Sequence, residues 1–327
     1  MRNKILLVST FIIGGFFTIS AQDGGEKNEV KAIKVQKEIY MLQGKGGNIG
    51  LSIGNDGVFM IDDQFADVTS EILKDIKKLS KKPVQFLINT HHHGDHTGGN
   101  VNMSKEGAII VSHDNVRKRL SDMLKNATEK SDALDAKMLP TITFEKDMNF
   151  HYNGEQIMVF HVHNAHTDGD AVVYFMGSNV IHTGDAMFNG GYPFIDTKNG
   201  GTLKGYIEGL EKISLLADDD TKIIPGHGDI ATKKDVDYMV NMLNVLYKNV
   251  MFQYRNQKTE AEIVNSRDFT KPYDDKGFGN GFINTQKILQ TIYNEVVREA
   301  GPLDTRTMEE RLEEKVKESK QKGGSKG

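Results

Sequence analysis

Thr90-His91-His92-His93-Gly94-Asp95-His96-Thr97-Gly98-Gly99 follows directly on the apolar run Val84-Gln85-Phe86-Leu87-Ile88-Asn89. A run of that length, flanked by polar residues, reads as a short buried strand, so the histidines fall on the loop at its end. Four histidines and one aspartate crowd imidazole and carboxylate donors into one small volume. Protonated imidazoles so close together would repel one another, whereas neutral imidazole is among the commonest zinc ligands. The stretch therefore predicts a metal site. Three further segments place His or Asp at the end of an apolar strand: His163-Asn164-Ala165-His166-Thr167-Asp168-Gly169-Asp170, Ile181-His182-Thr183-Gly184-Asp185 and Ile224-Pro225-Gly226-His227-Gly228. Loops at strand ends are where a rigid sheet can aim several ligands at one point.

Outward from the histidines, the pattern sorts into two similar halves. Before them, KAIKVQKEIYML, GNIGLSIG and GVFMID read as strands separated by Gly and Asn-Asp-Gly turns, and Asp67–Leu79 carries Val68, Ile72, Ile76 and Leu79 at helical spacing. After them come the strand GAIIVS, a helix from His113 to Asn126, the strands TITF, QIMVFHV, AVVYFMG and NVIHTG, and the helix LKGYIEGLEKISLLA. The strand TKIIPG then precedes a long helix from Lys233 to Asn256. Strands first, then helices interleaved twice, predict an α/β class with two sheets face to face and helices outside.

Composition narrows the function. The 327 residues carry 41 basic and 45 acidic side chains, a net charge of −4, which gives no electrostatic footprint for nucleic acid. With no cysteine, there is no disulfide, no thiolate nucleophile and no Cys-ligated metal, so His, Asp and Glu must hold any ion. Residues 1–21 open with Arg2 and Lys4, continue through an apolar run to Phe17 and close on Ser20-Ala21, the composition of a cleavable secretory signal peptide. The apolar run is too short to span a bilayer, so the expectation is a periplasmic or secreted protein with no stable membrane anchor after cleavage. Residues 30–256 read as the main domain, 257–304 as a C-terminal extension against it, and 305–327 as a charged, partly disordered tail.

The run His91-x-His93-x-Asp95-His96, followed in order by His166, Asp185 and His227, resembles the metallo-β-lactamase-fold hydrolases, over roughly Val30 to Leu246. The resemblance implies an αββα four-layer sandwich with a two-metal site along one edge. Carried over by position, His91, His93 and His166 would bind one zinc ion, Asp95, His96 and His227 the second, and Asp185 would bridge them; iron or manganese would suit the same donors. Asp62 sits where family members have a strand-end aspartate that fixes a ligand imidazole, with Asp63 as its competitor. His161 and His163 compete with His166. His92, His113, His151 and His182 read as non-ligands, and Asp168 and Asp170 as turn residues or supports of the ligands.

Two such cations would make a bridging hydroxide available near neutral pH, with Asp95 as the catalytic side chain that orients the water and handles its proton. No protein nucleophile is needed, consistent with the lack of cysteine and of a G-x-S-x-G elbow. The small-molecule substrate is legible only by class. Ala165–Tyr174 looks like the equivalent stretch of zinc β-lactamases, whereas Asp185 in a Thr-Gly-Asp context resembles glyoxalase II-type thioesterases and lactonases. Phe188 stands where the lactonases have a tyrosine, with Tyr192 close by. His93 replaces the glutamate of the di-iron flavoprotein relatives, which argues against redox chemistry. The Gly-rich aromatic segments 187–196 and 277–282 suit pocket walls, with Phe188, Tyr192 and Phe278 as candidates. The expectation is an exported dinuclear zinc hydrolase opening a cyclic amide or ester, β-lactam first, with lactonase or thioesterase as alternative and a non-catalytic zinc-binding accessory factor as a further one.

Overall fold

The computed structural model describes residues 30–127, 135–301, 310, 312–314 and 316–317. The expected leader over 1–21 lies outside the described residues, as does most of the expected tail, whose described residues are helical.

Seven strands form the first sheet in sequence order: β1 (Lys31–Gln36), β2 (Ile39–Gln43), β3 (Ile49–Ile53), β4 (Val58–Ile61), β5 (Val84–Asn89), β6 (Ile109–His113) and β7 (Ile142–Phe144). Five form the second, β8 (Asp147–Tyr152), β9 (Glu155–His161), β10 (Ala171–Phe175), β11 (Val180–Phe188) and β12 (Lys222–His227), in the order β12-β11-β10-β9-β8. The helices are α1 (Thr69–Leu79), α2 (Gly94–Thr97), α3 (Asn100–Lys105), α4 (Asp114–Asn126), α5 (Leu203–Leu216), α6 (Lys233–Arg255), α7 (Glu260–Val264), α8 (Lys271–Asp274) and α9 (Thr285–Ala300). Tight turns join β1 to β4 antiparallel, whereas β4, β5, β6 and β7 run parallel because connections containing helices intervene.

Side-chain alternation explains the four layers. In β4, Phe59 and Ile61 face the space between the sheets, while Val58 and Met60 face the opposite side, where Val68, Ile72 and Ile76 cover them. In β10, Val173 and Phe175 meet Phe59 and Ile88 between the sheets, and Val172 faces Leu210, Leu243 and Leu246 of α5 and α6. Phe59 is fully buried, with Phe150 edge-on at 5.1 Å and Phe175 at 6.0 Å. Both sheets are thus apolar on two faces, and the αββα sandwich expected from the sequence is the observed fold.

Two elements differ from expectation. KAIKVQKEIYML is a hairpin, not one strand: Lys37 takes φ 45° and turns β1 into β2 without a glycine to mark it. DMNFHY forms edge strand β8, whose alternately exposed side chains lack the apolar signature of its neighbours. Beyond α6, residues Ile288, Leu289, Ile292 and Val296 of α9 join the same apolar cluster as Leu243, Leu246 and Val250 of α6. No helix among the described residues is long and apolar enough to cross a membrane.

Candidate metal centre

The histidine loop leaves the end of β5 and is pinned at both ends. Asn89 and Asn100 exchange side-chain amide hydrogen bonds of 3.0 and 2.9 Å, and Thr97 donates to the His93 carbonyl at 3.0 Å. Asp95 and His96 ride on the single turn of α2, with His93 just before it. Asp185 lies in β11, where Gly184 (φ 49°) breaks the register with β12; a Cβ there would meet the Thr90 side chain at 2.5 Å. His227 ends β12, and His166 sits on the loop between β9 and β10.

These elements bring all seven predicted ligands together. Donor atoms of His91, His93, His166 and Asp185 lie within 4.8 Å of one another, as do those of Asp95, His96 and His227. Asp185 stands between the groups. Its Oδ2 is 3.8 Å from His91 Nε2 and 3.5 Å from His166 Nε2, while its Oδ1 is 3.1 Å from His96 Nε2 and 3.5 Å from His227 Nε2. Asp95 Oδ2 completes the second group, 3.2 Å from His227 Nε2.

The opposite ring nitrogens are fixed from behind. His96 Nδ1 meets Asp62 Oδ2 at 2.8 Å, His166 Nδ1 meets the Phe194 carbonyl at 2.7 Å, His91 Nδ1 meets Thr90 Oγ1 at 3.0 Å, and His93 Nε2 meets Asp196 Oδ2 at 2.9 Å. Each contact turns the remaining nitrogen toward the centre, which is how supporting residues orient metal-bound imidazoles. Asp62 also accepts from Thr90 N and Oγ1, both at 2.7 Å, and its own left-handed backbone (φ 60°) aims the carboxylate. Between the two competing aspartates, Asp62 holds the ligand; Asp63 accepts from Gly99 N instead.

The residues fit divalent cations. His91 Nε2 and Asp185 Oδ1 are buried with no hydrogen-bond partner, a costly arrangement for polar atoms unless an ion uses their lone pairs. Burial together with the neighbouring rings His96, His166 and His93 pushes the pKa of His91 well below that of a free imidazole, and burial takes His166 down to about 4, so both favour the neutral, ligating form. Burial opposes charge on Asp185 as well, but the facing His96 and His166 hold it well below the usual carboxylate range. His96 is the reverse case: burial disfavours its cation, yet the facing carboxylates of Asp185 and Asp62 raise its pKa well above that of a free imidazole.

The other candidates have different work. His161 and His163 stay out of the cluster, with His161 stacked on His113 at 4.0 Å. His182 is buried, donating from Nε2 to the Asn48 carbonyl and accepting at Nδ1 from Gly184 N. Asp168 takes two 2.7 Å bonds from Arg119, tying the His166 loop to α4, and Asp170 accepts from Thr167 N and Oγ1. His92, read as a non-ligand, is within ligating distance of His93 and Asp196, although the latter two are paired with each other.

A cavity of about 660 Å³ opens over the ligands His93, Asp95, Asp185 and His227. Phe188 lines it, stacked on His227 at 5.2 Å, and so does Tyr192, whose hydroxyl is turned away to donate to Asp274 at 2.9 Å. Phe278 does not line it: the ring is buried behind the wall against Tyr192 and Tyr238, and Phe282, four residues on, reaches the cavity in its place. Phe194 and Asp196 were not singled out as site residues. Both lie in segment 187–196, whose aromatic, Gly-rich composition was their only signal.

A family model described as the metallo-beta-lactamase superfamily matches residues 43–227. Among curated proteins, the chain is 29% identical over 161 residues to a hydroxyacylglutathione hydrolase of Pelagibacter ubique, covering 48% of this chain and 58% of the relative. It is 27% identical over 173 residues to a probable hydroxyacylglutathione hydrolase of Schizosaccharomyces pombe, covering 51% and 57%. The matches thus span less than two thirds of these relatives' lengths. Among solved structures, the metallo-beta-lactamase from Pontibacter korlensis aligns with a TM-score of 0.57 at 18% identity, covering 66% of this chain and 99% of that one. The DIM-1 metallo-beta-lactamase aligns with a TM-score of 0.55 at 17% identity, covering 66% and 97%. These likenesses show the fold.

Proposed function

The chain belongs to the metallo-β-lactamase superfamily and is a metal-dependent hydrolase, and on that premise we propose that it holds two divalent cations, zinc first, and opens the acyl bond of a thioester or ester. The observation that carries the reading is Asp185, which presents one oxygen to His91 and His166 and the other to His96 and His227. His91, His93 and His166 would hold one cation and Asp95, His96 and His227 the other, with Asp185 common to both. Cations bound there would supply Lewis acidity toward the acyl carbonyl and make a water nucleophilic near neutral pH.

Asp95 is the ligand placed to orient that water: it lines the cavity, and although burial opposes its charge, His227 and His96 keep it ionised. Water adds to the acyl carbon and gives a proton to Asp95, which passes it to solvent; the carbon–sulfur or carbon–oxygen bond breaks, and the leaving group departs with the electron pair, as a thiolate or, after taking a proton from solvent, as an alcohol. The ionisable side chains lining the cavity are His93, Asp95, Asp185, His227 and Tyr192; the first four are the ligand donors, and the Tyr192 hydroxyl is bonded to Asp274. A thiolate leaves without a proton whereas an amine requires one, so of the candidate bonds a thioester asks least of these side chains. The printed names of the two curated relatives point the same way.

Metal content by mass spectrometry, coupled to hydrolysis of a thioester, an acyl-homoserine lactone and a chromogenic cephalosporin, tests the reading. Two equivalents of zinc, with thioester turnover lost in Asp95→Asn, are expected; fewer than one equivalent of any metal sinks the dinuclear site, and preference for the cephalosporin restores the β-lactam reading. The composition of residues 1–21 supports export of the mature chain, which N-terminal sequencing of extracytoplasmic protein would test.

A further inference from the structure

The cavity walls above the ligands are Phe188, Asn189, Phe194, Phe282 and Ile283, with glycines between them. No lysine or arginine lines the cavity among the described residues. The apolar surface begins directly at the metal ligands: the Phe194 ring stacks on His93 at 5.9 Å and 20°, and Phe282 meets Phe194 edge-on at 5.6 Å and 85°. Phe282 is 75% exposed at the outer edge of the cavity and extends the apolar wall that Phe194 begins.

Its position is built rather than accidental. Asp274 accepts from the Tyr192 hydroxyl at 2.9 Å and from the Thr285 hydroxyl at 2.6 Å, and Tyr192 N donates to the Phe278 carbonyl at 3.2 Å. These bonds tie the 277–285 segment to the wall that follows β11. Lys287 donates to the Phe282 carbonyl at 2.9 Å while its ammonium lies 4.6 Å from the ring centroid. This cation is therefore engaged with Phe282 itself.

We propose that this site selects neutral substrates carrying an apolar acyl arm, that Phe282 is a specificity-determining residue, and that a carboxylate on that arm is selected against. The inference rests on the hydrolase reading and narrows it. A carboxylate drawn into this cavity loses water and finds no Arg or Lys fork in exchange, whereas an alkyl or aryl arm covers Phe194, Phe282 and Ile283. Residues 281–283 also lie beyond the stretch 43–227 that the family model matches, so the wall belongs to the part of the chain outside that match.

Two thioesters of one thiol, S-phenyl thiohexanoate and the S-phenyl monothioester of glutaric acid, present arms of similar length that differ in a terminal carboxylate. With the zinc-loaded full chain, kcat/KM is expected to be about tenfold or more higher for the hexanoyl ester, with the difference in KM. Phe282→Ala should raise KM for the hexanoyl ester severalfold more than for the glutaryl ester, and Phe282→Lys should shrink or invert the preference. Equal or better turnover of the glutaryl ester overturns the proposal, and if that preference falls in Lys287→Ala, the lysine is the anion's partner. A preference unmoved in both Phe282 variants overturns the role of Phe282. Turnover of neither ester would defeat the hydrolase reading; calorimetry with the two matching ketones, in which CH2 replaces sulfur, then still decides. Tighter binding of the neutral ketone supports the selection, and equal or tighter binding of the carboxylate ketone overturns it.

Discussion

Replacing Asp62 by asparagine should weaken the binding of one cation and leave the other unchanged. Asp62 is fully buried and accepts three hydrogen bonds, from Thr90 N at 2.7 Å, Thr90 Oγ1 at 2.7 Å and His96 Nδ1 at 2.8 Å. In Asp62→Asn the amide oxygen can keep the Thr90 N–H, but the new NH2 then faces both the Thr90 hydroxyl and His96. The hydroxyl can rotate to accept; the imidazole can accept at Nδ1 only by carrying its proton on Nε2. That proton points at Asp185 Oδ1, 3.1 Å away, and occupies the lone pair a cation needs. Loss of such a supporting contact weakens metal binding about 10- to 100-fold, which is roughly 1.4 to 2.7 kcal/mol. Competition against a chromogenic chelator should show one equivalent weakened by that factor while the equivalent at His91, His93 and His166 is unchanged. Asp62→Ala differs in kind, because it leaves three buried donors unpaired at about 1–3 kcal/mol each. A loss near 3 kcal/mol corresponds to a melting point lower by roughly 6–12 °C for a domain of this size. Two equivalents bound by Asp62→Asn with wild-type affinity would refute the tautomer argument.

Three more changes test the frame around the centre. A Cβ on Gly226 would lie 2.0 Å from Asp185 Oδ1 and 2.6 Å from the Gly184 carbonyl carbon, so Gly226→Ala must push the Asp185 carboxylate aside; kcat/KM should fall about 100-fold with circular dichroism unchanged, and a rate within about threefold of wild type would contradict it. Asp196→Ala releases His93 Nε2 and should weaken the other equivalent about tenfold in the chelator titration, sparing the one that Asp62 supports. Burial lowers the pKa of His182 to about 4, outweighing the nearby Asp62 and the hydrogen bond to the Asn48 carbonyl, which raise it. The unfolded chain, with a His pKa near 6.5, then binds the proton more tightly, so this contribution of about 3 kcal/mol is present above pH 6.5 and lost as pH falls toward 4. Urea midpoints at pH 7.5 and 5 should separate less in His182→Gln than in the wild type; an identical separation excludes His182 as the source.

The cluster of candidate ligands was legible because its chemistry is local. His91 to His96 follow the end of β5 and His227 ends β12, while His166 falls on the loop after β9 and Asp185 within β11, where the sequence reading expects a strand end; each could still be read from its own neighbours without knowing which strands would meet. What needed the fold were residues whose roles depend on partners far along the chain. Asp196 reaches His93 across 103 positions, and nothing beside it in sequence marks it as different from an ordinary turn aspartate. The Lys37 turn was missed because a left-handed lysine carries no local signature, and β8 because an edge strand does not need the apolar face of an inner one.

The choice between Phe278 and Phe282 shows where this boundary falls. Both belong to one Gly-rich stretch, and both are aromatic; the structure turns Phe278 inward to Tyr238 and Phe282 to the cavity, in a segment that long-range bonds of Asp274 to Tyr192 and of Tyr192 N to the Phe278 carbonyl hold in place. Metal binding therefore depends on strand ends that the family pattern carries, whereas the substrate wall depends on a C-terminal segment held in place by long-range contacts. A ligand pattern can pass unchanged between enzymes while the wall above it is rebuilt, so the ligands determine what kind of bond breaks and the wall determines whose bond it is. If that division holds, exchanging residues 277–285 for the corresponding wall of a thioesterase with an anionic substrate should change KM ratios between neutral and anionic thioesters and leave both zinc equivalents in place.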